Sequence, residues 1–110
     1  MSYSTTVVMT RPNTGVEIPK VSDAHPDHDT VARAKYDAAG LIKSYTWSGD
    51  ELSLTIVMAA PDKETYDDVI ADLDTLPDEA ASRTAVKNAC IAAGVTVVIT
   101  DSNGATLADF

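Results

Sequence analysis

The residues best suited to chemistry in this chain cluster in DAHPDHD, positions 23 to 29, which holds both histidines, His25 and His28, beside Asp23, Asp27 and Asp29. Imidazole nitrogen next to carboxylate oxygen suits zinc, manganese or iron, so His25, His28 and Asp27 are the candidate metal ligands. Their spacing matches no zinc-binding signature, and an irregular segment ahead of a helix does not hold ligands at fixed distances. Asp29 also makes a favourable N-cap, its carboxylate facing the positive end of a helix dipole. A solvated, capped loop accounts for the same residues without a metal.

A second constellation is acidic. Glu64, Asp68 and Asp72 fall at i, i+4 and i+8, one line along a helix, with Asp67 and Asp74 nearby. Like charges at this spacing repel by a few tenths of a kcal/mol per pair. The line offers a docking stripe for a Lys/Arg-rich partner or a weak cation site, and its simpler role is a helix surface facing water. It lacks the oxygen cage of a calcium-binding loop. A third constellation is aromatic: Tyr45 and Trp47, with Tyr36 and Tyr66 within reach, suit the wall of a small-molecule pocket. Core packing against Leu52 and Leu54 is the better expectation for them.

Other catalytic signatures are missing from the sequence. There is no phosphate-cradling glycine loop, G-x-S-x-G, C-x-x-C or H-E-x-x-H. Seventeen acidic residues do not single out an acid/base pair. Cys90, the one cysteine, lies among alanines in a helical pattern and reads as a small buried apolar residue; alone it forms no internal disulfide. No catalytic residue and no cofactor are expected.

Composition narrows the partners. The chain has 110 residues, a formal net charge of −9 and only eight Lys and Arg. One domain is the natural organisation at this length. Phosphate neutralisation needs clustered cations, so nucleic acid is not an expected partner, and a basic protein surface or divalent cations fit the charge better. Solubility is a sufficient reason for such a charge. The apolar runs are too short to span a bilayer and MSYSTTVVMTRP carries no signal-peptide core, so no membrane association is expected.

The elements that must position these groups follow from periodicity. Tyr3 to Thr10 alternates and is rich in β-branched residues, predicting a strand. From Arg11 to Asp29 the prolines leave little periodicity, which predicts an arm or a loop whose Val16, Ile18 and Val21 lie extended against something, such as a neighbouring subunit. Thr30 to Ala39 reads as a short helix capped by Asp29 and closed by Gly40, with Val31, Ala34 and Ala38 facing the sheet. LIKSYTWSGDELSLTIVM is a hairpin about Gly49-Asp50 that sets Trp47 against Leu52, Tyr45 against Leu54 and Leu41 against Met58, leaving Lys43 as a misfit on the apolar face.

Pro61-Asp62 opens a helix with Tyr66, Val69, Ile70 and Leu73 on its apolar face. Pro77 ends it, and Thr75 with Asp78 resembles a capping box for an alanine-rich helix from Glu79 to Ala93. Val95 to Thr100 is the last strand, after which Asn103-Gly104 turns ATLADF into a short fifth strand or a tail. The order β-α-β-β-α-β is that of the ferredoxin-like α+β fold, one antiparallel sheet with its helices on one face. The other face, with Val8, Ile42, Val57 and Val98, is expected to be covered by self-association or a docked partner.

SYSTTVVMTRPNTGVEIP, then a short helix, then LIKSYTWSGDELSLTIVMAAPDKETYDDVIADL with its Asp62-x-x-x-Tyr66 passage, resembles small proteins encoded in the structural regions of tailed bacteriophages. The resemblance covers residues 3 to 76. It implies a non-enzymatic virion component, a capsid accessory or tail-associated protein, contacting other virion proteins or itself and located in the virion; a host protein of this kind would be cytoplasmic. The interaction candidates are then Val16, Ile18 and Val21 of the arm and Glu64, Asp68 and Asp72 of the acidic stripe. The alternative class is a small dimeric α+β-barrel enzyme or ligand-binding protein, which needs an ionisable group in a pocket between subunits. A regulatory module docking a basic partner is a third.

Overall fold

A computed structural model describes residues 2–107. The elements run β1 (Tyr3–Thr10), α1 (Val21–Ala24), α2 (Pro26–Ala38), β2 (Ile42–Trp47), β3 (Ser53–Ala60), α3 (Lys63–Asp74), α4 (Glu79–Ala93), β4 (Thr96–Asp101) and β5 (Thr106–Leu107). They form a five-stranded sheet in the order β2-β3-β1-β4-β5, every pair antiparallel. Its first four strands have the interleaved order of a ferredoxin-like α+β fold. β5 extends the sheet beyond β4, and the rest of the expected tail, Ala108 to Phe110, lies outside the described residues.

Strand alternation decides the layers. In β1, Tyr3, Thr5 and Met9 are buried under the helices, while Ser4, Thr6, Val8 and Thr10 point the other way. The registers carry this across the sheet, with Met9 opposite Leu54 and Val97, and Val7 opposite Ile56 and Ile99. The core beneath the helices divides in two. Met9, Ile18, Val86, Cys90 and Val95 form one cluster; Ala32, Leu41, Ala60, Val69 and Leu73 form the other. Tyr3 and Tyr66 meet beside the second, ring centroids 5.1 Å apart. α3 carries the apolar face read from its sequence, with Asp62 as N-cap accepting from the Thr65 N–H at 2.7 Å.

Several local expectations are corrected. The segment after β1 is no free arm: Ile18 is buried in the first core cluster, and Val16 and Val21 pack against it. α2 begins at Pro26, not Thr30, with His25 rather than Asp29 as N-cap. Proline needs no N–H partner at a first helical position, and Asp27 and Asp29 then suit the dipole of the first turn. That earlier start sets the helix phase. His28 and Ala32 are the buried residues with Tyr36 partly covered, while Val31, Ala34 and Ala38 are exposed.

The hairpin keeps its predicted faces but not its register, since Trp47 pairs with Leu54, Tyr45 with Ile56 and Lys43 with Met58. Its loop is longer because Asp50 organises it, accepting from the Ser48 hydroxyl at 2.6 Å and the Leu52 N–H at 3.1 Å. The left-handed position is Glu51, φ 60°, rather than Gly49. An even shift preserves faces, so the alternation could not reveal it. Thr75 makes no capping box either; its hydroxyl donates back to the Asp72 carbonyl at 2.6 Å.

Candidate functional site

A buried polar contact joins α2 to α4. His28 and Glu79 are only 7% and 8% exposed, and His28 Nε2 lies 2.7 Å from Glu79 Oε2. With the carboxylate ionised, the imidazole N–H is the donor. The other carboxylate oxygen accepts from Arg83 Nε at 2.7 Å, and an Arg83 guanidinium nitrogen lies 3.7 Å from Asp74. Burial, and next the charge of Glu79, push the Tyr36 phenol up to about 12. The pair is chemically satisfied, since among the described residues no buried side-chain nitrogen or oxygen lacks a partner. It acts as a polar clamp between helices.

This geometry does not bring the metal candidates together. His25 occupies the N-cap position of α2 without a side-chain capping bond, Asp27 is exposed, and His28 turns inward to Glu79. Among the described residues no three His, Cys, Asp or Glu side chains come close enough to hold a metal ion. Glu79 was not singled out in the sequence. Its signals were the i, i+4 spacing to Arg83 and the His28-Ala32-Tyr36 face that a start at Pro26 produces.

The acidic stripe is partly neutralised. Lys63 pairs with Asp67 and Lys35 with Asp72, each at 2.7 Å. Among the described residues Glu64 and Asp68 have no ion-pair partner. Asp68 and Asp72 border a shallow groove of about 430 Å³ between α2 and α3, with Lys35, Ala38, Ala39, Thr65 and Val69. Neither His28 nor Glu79 lines it.

The hairpin aromatics sit outside the core. Tyr45 is 50% and Trp47 44% exposed, both on β2, the strand that ends the sheet. Arg11 covers part of Trp47, its guanidinium 4.7 Å from the ring centroid. It is fixed there by donating to the carbonyls of Glu51 at 2.9 Å and Val16 at 3.0 Å.

The most extensive feature is the sheet face turned away from the helices. It carries Ser4, Thr6, Val8 and Thr10 from β1, Ile42, Ser44 and Thr46 from β2, and Ser53, Thr55, Val57 and Ala59 from β3. Thr96, Val98 and Thr100 of β4 and Thr106 of β5 complete it. No charged residue is among them, although the chain has seventeen acidic and eight basic residues. Ile42 and Val98 are 71% and 53% exposed. Five strands about 4.8 Å apart, averaging about 20 Å in length, make a patch of roughly 500 Å² in projection. A standard interface covers about 800 Å² of rugged surface per partner, so the patch is of the right order. Such a face suits contact. Among the described residues no helix is long and apolar enough to cross a membrane.

No family model and no curated protein matches this chain. Solved structures do. A dimeric ferredoxin-like protein from an uncultured marine organism is 14% identical over 100% of this chain and 98% of its own, with a TM-score of 0.52. A Mycobacterium tuberculosis protein is 16% identical, TM-score 0.45, over 98% of this chain and 95% of its own. A de novo designed protein with a ferredoxin fold is 13% identical, TM-score 0.44, over 93% of this chain and 85% of its own. At these identities the likeness concerns the fold.

Proposed function

We propose that this protein is a non-enzymatic structural or interaction protein that associates with itself through its uncharged sheet face. The observation that carries this reading is the exclusion of charge from that one face in a chain of net charge −9. Two copies meeting through the α3 stripe bring Glu64 and Asp68 of both together; on the sheet face Ser and Thr hydroxyls and Val, Ile and Ala side chains meet their like without charge repulsion. Exposed Ile42 and Val98 supply apolar area to bury. The dimeric state of the ferredoxin-like protein from the marine organism supports it modestly.

The resemblance of residues 3 to 76 to small phage structural-region proteins supports a place in a virion, as a capsid accessory or tail-associated component. It rests on sequence plan only, and the identity of the genes beside this one tests it: capsid, portal and tail neighbours agree with a virion role, and metabolic neighbours argue against it.

Charge tests the interface. Val98→Glu with Thr6→Glu places carboxylates on the face while leaving the helical core untouched. Light scattering is expected to show the wild type as an oligomer and the double variant as a folded monomer. A double variant that keeps the oligomer places the interface elsewhere.

A further inference from the structure

The open edge of β2 is independent of the sheet face and has its own chemistry. β2 ends the sheet, and all six of its residues are exposed. The Ser48 N–H to Ser53 carbonyl bond, 2.9 Å, continues the β2–β3 ladder, and antiparallel ladders alternate inward and outward residues. Lys43, Tyr45 and Trp47 therefore turn their backbone N–H and C=O groups to the open edge. The opposite edge, β5, has two residues.

The same three residues place their side chains on the helix side of the sheet, where Arg11 joins them over Trp47. The Lys43 ammonium rests 6.0 Å from the Tyr45 ring centroid and 5.6 Å from that of Tyr36. Among the described residues neither Arg11 nor Lys43 has a carboxylate within ion-pair distance. Among the described residues this edge thus gathers two cations without a carboxylate partner, Lys43 on β2 and Arg11 reaching over Trp47 from beyond β1, with two half-exposed aromatics.

We propose that the β2 edge docks an extended acidic segment of another protein, which adds to the sheet as a further strand with alternate carboxylates facing Lys43 and Arg11. Main-chain hydrogen bonds supply binding and the cations select the partner. A second copy pairing edge to edge fits less well, because it brings Lys43 and Arg11 of both copies together. The nearest acids in sequence, Asp50 and Glu51, lie past Trp47 in the loop at one end of the strand, and repulsion from acids farther off is screened beyond about 8 Å at physiological salt.

Trp47, the only tryptophan, reports binding directly. The probe is an end-blocked peptide of about eight residues alternating Asp and Val, with a Lys and Val peptide as control. The full-length wild type is expected to give a saturable change in Trp47 emission with the Asp peptide only. Lys43→Glu, an exposed substitution, is expected to weaken that binding by roughly tenfold and to admit the Lys peptide. No saturable response, an equal response to both peptides, or unchanged affinity in Lys43→Glu would each overturn the proposal.

Discussion

His28 and Glu79 stand 51 positions apart in sequence and meet at 2.7 Å in the interior, tying α2 to α4. Sequence reading placed His28 on a solvated loop; its role is to close a buried polar contact. Removing either partner leaves the other buried and short of a hydrogen bond. His28→Ala is expected to destabilise the fold by about 3 kcal/mol, and Glu79→Gln by about 2 kcal/mol. Urea unfolding of both singles and the double gives a coupling energy, the double being predicted to lose less stability than the sum of the singles. Losses of a few tenths of a kcal/mol would mean that water satisfies the pair.

Ile18 separates a core segment from a free arm. Its side chain is buried with Met9, Val86, Cys90 and Val95. Ile18→Ala is expected to cost about 2–4 kcal/mol, read from the denaturation midpoint, with the oligomeric mass unchanged while the protein is folded. A change in mass without a change in stability would restore the arm.

Arg11→Lys keeps the charge but loses the planar fork. The two carbonyl contacts and the Trp47 stack are not reproduced by an ammonium. A loss of about 1–2 kcal/mol is expected, together with a red shift of Trp47 emission as the ring becomes wetter. Unchanged emission would show that Arg11 does not cover the ring in solution.

The phenols of Tyr3 and Tyr36 are both pushed up to about 12, burial being the larger cause in each. For Tyr3 the next cause is its hydrogen bond to Asp101, 3.0 Å long. Asp101 is held below its usual range, chiefly by the Ala105 N–H and with help from the Tyr3 hydroxyl. A raised phenol pKa means that folding favours the neutral form. The stability it contributes is complete below the unfolded value of about 10 and is lost as pH climbs to about 12. Alkaline difference spectroscopy should find Tyr3 and Tyr36 ionising late, with Asp101→Ala bringing Tyr3 earlier. Ionisation of either near pH 10 would contradict this.

The legible parts of the sequence were those with a strong period. β3, the Tyr66-Val69-Ile70-Leu73 face of α3 and the stop at Gly94 follow from local spacing, and element order then implied the fold. The phase of α2 was hidden, because it turns on Pro26 starting the helix ahead of the better N-cap, Asp29. The hairpin register was hidden too, since alternation is blind to an even shift and the loop depends on the Asp50 side chain. Tyr45 and Trp47 were read as core because their cross-strand partners are apolar; their exposure depends on which strand ends the sheet, which is a tertiary fact. Val16, Ile18 and Val21 were correctly seen as apolar residues needing cover, and the cover turned out to be α4 and the sheet of the same chain. The uncharged outer face was half visible in Val8, Ile42, Val57 and Val98, and the registers were needed to show that Ser, Thr and Ala fill the rest.

Sedimentation equilibrium of the wild-type protein tests self-association most directly. The predicted result is a mass at a fixed multiple of 11.6 kDa that falls to 11.6 kDa when Val98→Glu and Thr6→Glu are introduced, with the far-UV spectrum unchanged. A wild-type mass of 11.6 kDa at every concentration reached would contradict it.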